Sequence, residues 1–216
     1  MKIRLRGRLS KPAAVEGCLD PEALKSDTGT QSPIQLARKL KRALAGADAC
    51  LSKKFRANED VNQLVKARAW VVDQLVLCAW ENLIPAGDNI SLVAIGGFGR
   101  GELHPHSDVD LLILLAESPP SDGLRGAIEA FVTLLWDAGF YLGHSVRTVE
   151  ACVSEADKDI ATATSLMESR LLSGSTEMMQ EMLDATAADQ VWSAAEFFDA
   201  KFEEQLRRHE QYHDTG

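Results

Sequence analysis

The sequence predicts an α/β fold of the α+β type, in which a small mixed sheet is flanked by N- and C-terminal helices. Three observations support this fold class. A helical apolar periodicity runs from Ser32 to about Leu83, short strand-like runs follow between residues 87 and 150, and the helical signal returns from about Asp157. The chain has 216 residues, which is long enough to bury one such core.

The changes of period divide the chain into four predicted segments. Residues 1–31 are rich in Gly, Ser, Thr, Pro and charged side chains, and we expect a flexible arm there. A helical segment follows over residues 32–86, a sheet-containing core over 87–150, and a second helical segment over 151–216. Because the strand patterns fall in the third segment, the sheet is expected there.

The first helical segment has clear boundary signals. Ser32 followed by Pro33 is typical of a helix N-cap with proline at the first helical position. An apolar stripe at helical spacing then runs through Ile34, Ala37, Leu40, Ala43 and Leu44. A second stripe between Val61 and Val76 predicts another helix, which the run Ile-Pro-Ala-Gly at residues 84–87 ends.

The predicted core combines strands with one helix. Ser91–Ile95 and Val109–Leu115 are short apolar runs with strand character, and His144–Val149 is a third candidate strand. Residues 122–138 carry apolar side chains on one helical face, so a helix crosses between the second and third strands. The last segment is predicted to be helical, with a break at Gly174.

Composition limits the possible partners and location. The formal charge of −9 argues against a broad nucleic-acid surface, since phosphate backbones are bound mainly through Lys and Arg. No run approaches the ~18 apolar residues of a membrane span, and no secretory signal is present. Cys18, Cys50, Cys78 and Cys152 form no C-x-x-C pair, so we expect reduced thiols rather than a zinc site or disulfides. These features favour a cytoplasmic protein.

Two aspartates, Asp108 and Asp110, stand at the start of the second predicted strand. Side chains alternate across a strand, so carboxylates two residues apart point to the same face. Neighbouring carboxylates repel unless a cation lies between them, and oxygen ligands suit Mg²⁺ or Mn²⁺, which also bind phosphate oxygens. We therefore expect both aspartates to be catalytic metal ligands. His104 and His106, which flank a proline, either shape the preceding loop or add a metal ligand.

Gly96 and Gly97 follow the first predicted strand in a turn. Without side chains, such glycines expose backbone N–H groups to which a triphosphate can come close. Arg100 and Ser107 are further candidates for nucleotide contact. Their alternatives are a surface salt bridge of Arg100 with Glu102 or another acid, and a turn-capping role for Ser107. Glycines and aspartates together, with strand patterns on each side, are far more specific than either alone.

The stretch Gly96–Leu112 resembles the signature of the polymerase-β-type nucleotidyltransferase superfamily, in which a Gly-Gly pair and a spacer precede Ser107-Asp108-Val109-Asp110. The whole stretch closely resembles the bacterial bifunctional uridylyltransferase/uridylyl-removing family. Further similar stretches are Gly143–Thr148, Ala161–Leu172 and Arg208–Tyr212. The resemblance covers roughly residues 33–214, and it implies the nucleotidyltransferase fold.

For function, this resemblance implies transfer of UMP from UTP to a tyrosine of the PII nitrogen-signalling protein, with release of pyrophosphate. It also implies a role in sensing nitrogen through glutamine. Members of the family are longer chains that continue into a hydrolase domain, which removes UMP, and into ACT domains, which bind glutamine. We therefore expect this chain to be an N-terminal fragment without uridylyl removal or direct glutamine sensing.

One residue that the superfamily commonly has is missing from the predicted pattern. A third carboxylate usually stands on a later strand, and the strand around His144 carries none. Asp137, Asp157 and Asp159 are candidates by position, with nothing in the sequence to select among them. Two other functions therefore stay open: nucleotidyl transfer to a different acceptor, and a non-catalytic nucleotide-binding regulatory module.

Overall fold

A computed structural model of the chain describes residues 5–25, 32–87 and 89–211, with side chains for all of these except 25 and 208–211. In chain order the elements are a 3₁₀ turn Ala13–Val15, α1 Pro21–Lys25, α2 Pro33–Arg56, α3 Val61–Leu83, β1 Ile90–Ala94, α4 Gly96–Gly99, β2 Val109–Leu115, α5 Asp122–Asp137, β3 Leu142–Arg147, α6 Val149–Lys158, α7 Ile160–Met167, β4 Arg170–Ser173, α8 Thr176–Ala185, α9 Ala188–Val191 and α10 Ala194–Gln211. Within these ranges, none of the helices has the length and apolarity to cross a membrane.

The strands form a mixed sheet in the order β3-β2-β1-β4. β1 pairs antiparallel with both β2 and β4, whereas β2 and β3 are parallel and are joined by the crossover helix α5. Helices precede and follow the sheet in sequence. The predicted fold class, a small mixed sheet flanked by helices, is confirmed.

The sheet separates two apolar cores. Leu111 and Ile113 of β2 pack into the core formed with α2, α3 and α5, whereas Leu112 and Leu114 pack into the core formed with α6 and α8. Because side chains alternate across a strand, Asp110 lies on the same face as Leu112 and Leu114. The fold therefore places one of the predicted metal ligands at the start of β2, beside the second core.

The long N-terminal helices begin at the residues that the sequence indicates. The Ser32 side chain accepts a hydrogen bond from the N–H of Gln35, whose side chain accepts one from the N–H of Ser32. Asp60 caps α3 by accepting from the Gln63 N–H at 3.0 Å. These contacts satisfy N–H groups that have no partner within the helix, and so fix where each helix starts.

Three of the four strands differ from the prediction. β1 covers Ile90–Ala94 instead of Ser91–Ile95, and β3 ends at Arg147 instead of Val149. β3 begins at Leu142, two residues before the predicted His144. β4, over Arg170–Ser173, was predicted as part of a helical segment. This short strand is defined by pairing with β1, so its signal is tertiary rather than local.

The predicted arm contacts the rest of the domain at several points within residues 5–25. Val15 is fully buried, and the Arg8 Nε donates to the carbonyl oxygen of Leu172 in β4 at 2.8 Å. Ala14, Val15 and Leu24 lie in the core, so apolar packing anchors this part of the segment. The rest of the predicted arm lies outside the described residues, and the four segment boundaries stay predictions.

The expectation of reduced thiols was wrong for one pair of cysteines. Cys18 and Cys50 form a disulfide, with their Cα atoms 5.4 Å apart and the two residues 32 positions apart in sequence. Packing of the N-terminal segment against α2 brings them together, which no local spacing can indicate. Cys78 and Cys152 are free and buried, and burial raises the pKa of the Cys152 thiol to about 11.

Candidate functional site

A glycine turn, α4, follows β1. Gly96 has φ of 58°, in the left-handed region that favours glycine. The Gly99 N–H donates to Ile95 O at 2.9 Å, and the Arg100 N–H donates to Gly96 O at 3.0 Å. The N–H groups of Gly96 and Gly97 take no part in the hydrogen bonds of this turn, so they are free to donate to an anionic ligand.

The predicted carboxylate pair stands where β2 begins. Asp108 is exposed and immediately precedes the strand, while Asp110 is half-buried as its second residue. Burial raises the pKa of Asp110 above its ordinary value near 3.8, and the negative charge of Asp108 raises it further. The two carboxylates therefore repel each other, and a cation bound between them would remove that cost.

Gly96 lies between Asp110 and α7, a helix that stands between β3 and β4 in sequence. A Cβ placed on Gly96 would be 3.3 Å from the Ser165 Oγ of α7 and 3.7 Å from the Asp110 Oδ2. The glycine turn, the inner carboxylate and this hydroxyl thus meet at one place. Ser165 was not among the predicted site residues, since only the packing of α7 on the turn brings it there.

Gly143 of β3 gives the Asp110 side chain its space. The two residues are partners in the parallel pairing of β2 with β3, and a Cβ on Gly143 would collide with the Asp110 Oδ1. Alternation along β3 places Ser145 and Arg147 on the same face as Gly143. Within β3 as described, no third carboxylate therefore stands beside Asp110.

The donor set fits a hard divalent cation. Among the residues that the structure describes, no group of three or more His, Cys, Asp or Glu side chains could hold a metal ion. Structural zinc, which takes four protein ligands, does not fit such a site. Mg²⁺ is commonly held by one or two carboxylates together with water and phosphate oxygens, and this is the chemistry that Asp108 and Asp110 offer.

Arg100 caps the glycine turn and forms two ion pairs. Its Nε is 3.2 Å from Glu102 Oε2, and its NH1 is 2.5 Å from Glu168 Oε2. About 43% of the arginine side chain is exposed. The structure thus contains the ion-pair alternative considered for this residue. Since exposed ion pairs contribute about 0–1 kcal/mol, exchange of a carboxylate for a phosphate at Arg100 costs little.

The loop before the aspartates includes the two histidines. The Ser107 N–H and the Arg68 NH1 both donate to the His104 carbonyl oxygen at 3.2 Å, and the His106 ring meets Tyr141 edge-on at 6.4 Å. Both histidines line a cavity of about 530 Å³ between this loop and helices α2 and α3. These contacts match the first of the two roles considered for the histidines, in which they shape the loop. Ser107 stays a candidate for nucleotide contact.

The three candidates for a further carboxylate lie on or beside helices. Asp159 caps α7, accepting from the N–H of Ala161 and from both the N–H and the hydroxyl of Thr162. Asp137 is the last residue of α5, and Asp157 is an exposed residue of α6. The capping bonds give Asp159 a structural role, and no contact in the structure selects either of the other two.

A buried ion pair that sequence reasoning missed holds the other end of the turn. Arg170 and Asp73 are 2% and 1% exposed, and the arginine also donates to the carbonyl oxygens of Phe98 and Gly99. Two features of the sequence could have indicated this pair. They are a single Asp within the mostly apolar run Trp70–Leu77 and a single Arg before two leucines. Charges at such apolar positions are buried only when they are paired.

Comparison with known proteins agrees with this geometry. Residues 79–160 match the family described as nucleotidyltransferase domain. The bifunctional uridylyltransferase/uridylyl-removing enzyme of Pseudomonas putida is 46% identical over 205 residues, which are 91% of this chain and 22% of that protein. The enzyme of the same name from Stutzerimonas stutzeri is 47% identical over 176 residues, which are 81% of this chain and 19% of that protein.

The matched family region contains both the glycine turn and the aspartate pair, so the site and the family match coincide. The chain spans about a fifth of the length of the curated relatives it matches. Residues 79–160 thus match the nucleotidyltransferase domain family, and the chain is similar, over most of its length, to one segment of the bifunctional uridylyltransferase/uridylyl-removing enzymes.

Proposed function

We propose that this chain transfers UMP from UTP to a tyrosine hydroxyl of a PII-type signalling protein. The observation that carries the proposal is the aspartate pair beside the glycine turn, where Asp110 Oδ2 lies within 3.7 Å of a Cβ position on Gly96. One half of this arrangement offers N–H groups for phosphate oxygens, and the other offers carboxylates for the cations that accompany them. The choice of a uridylyl donor is supported by the name of the similar enzymes. The choice of PII as acceptor follows from the resemblance of this sequence to their family.

Asp108 and Asp110 would hold Mg²⁺ or Mn²⁺. Burial, and after it the negative charge of Asp108, raise the pKa of Asp110 and so disfavour its charged form without a counter-charge, which supports this role. When bound, such a cation polarises the phosphoryl group and neutralises charge on the leaving pyrophosphate. Gly96 and Gly97 would donate backbone N–H groups to the triphosphate, with Arg100 and Ser107 adding side-chain contacts.

The transfer exchanges one phosphorus–oxygen bond for another. The tyrosine oxygen forms a bond to the α-phosphorus of UTP, the bond from that phosphorus to the pyrophosphate oxygen breaks, and the hydroxyl proton passes to solvent or to a base. In-line geometry and charge stabilisation carry most of the catalysis in phosphoryl-group reactions. A site built from N–H donors and metal-binding carboxylates, without a further carboxylate on β3, is compatible with that requirement.

The proposal is tested by following the label of UTP. The purified chain is incubated with Mg²⁺ or Mn²⁺, a PII-type protein and UTP labelled on either the α- or the γ-phosphate. We expect α-label on the acceptor and γ-label in free pyrophosphate. The double variant Asp108→Asn/Asp110→Asn is nearly isosteric, so we expect it to stay folded and to transfer no label.

Two controls separate the alternatives. A PII-type protein with its acceptor tyrosine changed to phenylalanine should take no label, and competition with unlabelled ATP, CTP and GTP reports base preference. Label on the phenylalanine variant would point to a different acceptor residue. UTP binding with no transfer to any acceptor would contradict catalysis by this chain and favour the non-catalytic regulatory module.

A further inference from the structure

We infer that the buried Asp73–Arg170 pair is a positioning device that sets the affinity for the nucleoside triphosphate by fixing the backbone of the glycine turn. The inference rests on the proposed function, because it takes Gly96 and Gly97 as the phosphate-binding positions. Neither charged residue needs to touch the nucleotide. Both act through the turn that does.

Arg170 connects β4 directly to the glycine turn. Its Nε donates to the Gly99 carbonyl oxygen at 3.3 Å, and its NH2 donates to the Phe98 carbonyl oxygen at 3.0 Å. These carbonyls belong to the last residues of the turn, and the Phe98 oxygen also accepts from the Gly101 N–H at 3.1 Å. One planar guanidinium thus holds two successive peptide units of the turn.

Asp73 fixes the orientation of that guanidinium. Its two oxygens accept from the Arg170 NH1 at 2.7 Å and from the NH2 at 3.0 Å, a two-point contact that sets the plane of the group. The carboxylate comes from α3, and so ties the turn to that helix.

The surroundings leave the turn little freedom to relax. A Cβ placed on Gly99 would collide with the Glu168 carbonyl oxygen and would be 2.9 Å from the Ala94 carbonyl oxygen. Phe98 is 1% exposed, and the Arg170 guanidinium carbon lies 5.5 Å from the centre of its ring. Arg170 packs closely against this turn. We therefore expect a substitution of Arg170 to shift the backbone that carries Gly96 and Gly97.

Arg170→Lys tests the inference most cleanly. Lysine keeps the positive charge beside Asp73 but lacks the planar fork that reaches both carbonyls. Steady-state kinetics with the intact chain and Mg²⁺-UTP should show KM for UTP raised by about tenfold or more, with kcat changed less than about threefold, as expected when binding is lost uniformly. Calorimetry with Mg²⁺-UTP should show the same loss in Kd.

Two further variants separate positioning from stability. Leu40→Ala removes a fully buried side chain of α2 and should lower the unfolding temperature while leaving KM at the wild-type value. The double variant Asp73→Leu/Arg170→Met removes both buried charges together, a change that proteins often tolerate, and should raise KM as Arg170→Lys does. The double variant decides the question if the lysine variant does not fold.

Wild-type KM and Kd in a folded Arg170→Lys or double variant would overturn the inference. Its failure is distinguishable from failure of the proposed function, because the wild-type chain is assayed first. Absence of transfer by the wild type contradicts the proposed function. Transfer by the wild type with unchanged affinity in the variants contradicts only the positioning role.

Discussion

Two arginines hold the glycine turn, and they differ in burial. Arg170 is 2% exposed and makes hydrogen bonds to Asp73 and to two backbone carbonyls, whereas Arg100 is partly exposed and pairs with Glu102 and Glu168. Both side chains carry the same charge and lie beside the same turn. Their surroundings give them different roles.

Both members of the buried pair are almost fully shielded from solvent. Removing one member would leave an uncompensated charge where water cannot reach it, so Arg170 is committed to structure. The exposed pairs at Arg100 compete with solvent and contribute little to stability. An arginine held this loosely beside the proposed phosphate-binding turn can exchange a carboxylate for a triphosphate oxygen. Burial therefore distinguishes the cation that positions the turn from the one proposed to contact the nucleotide.

The largest expected effect comes from breaking the buried pair on its acidic side. We predict that Asp73→Ala lowers the free energy of unfolding by about 3–5 kcal/mol, because the Arg170 charge is left buried without a counter-charge. Urea denaturation of the variant and of wild type measures this difference. The Asp73→Leu/Arg170→Met double variant should lose clearly less free energy of unfolding. If Asp73→Ala loses the same amount as the double variant or less, an uncompensated buried charge is not the cause.

A second prediction concerns the exposed arginine. We expect Arg100→Gln to change the free energy of unfolding by less than about 1 kcal/mol, since its ion pairs are exposed. The same variant should raise KM for UTP by about tenfold, the loss of one charge-assisted hydrogen bond. Arg100→Lys, which keeps the charge, should recover part of the affinity. A large loss of stability with unchanged KM would reverse the roles assigned to the two arginines.

The smallest effect should follow removal of the competing carboxylate. Glu168→Gln frees Arg100 from its shorter ion pair, so we predict that KM for UTP falls by up to about threefold. Stability should stay within about 0.5 kcal/mol of wild type. Glu102→Gln, at the longer ion pair, is the matched control and should change KM less. An increase of KM in Glu168→Gln would show that this carboxylate supports nucleotide binding instead of competing with it.

Much of the fold could be predicted from the sequence because its signals are local. Ser32 and Pro33 mark the start of α2, and the apolar run of Val109–Leu115 coincides with β2. The glycine turn and the two aspartates are also local patterns, since one strand and one turn position them. The structure brings them together as expected, while their roles in binding metal and nucleotide stay predictions.

The missed features depend on residues that are far apart in sequence. Asp73 and Arg170 are 97 positions apart, and nothing near either residue indicates the other. Cys18 and Cys50 meet only because the N-terminal segment packs on α2. The four-residue strand β4 forms because β1 offers it an edge, although it lies between two helices. Each of these contacts is set by tertiary packing, which local periodicity does not encode.

The proposed function assigns Asp108 and Asp110 to the cation that brings the triphosphate to the glycine turn. Calorimetric titration of UTP into the chain, with Mg²⁺ and with EDTA, tests this assignment most directly, using wild type and the Asp108→Asn/Asp110→Asn variant. We predict binding that requires Mg²⁺ in the wild type and is lost in the folded variant. Equal binding by both proteins, or binding by the wild type that is unaffected by EDTA, would contradict it.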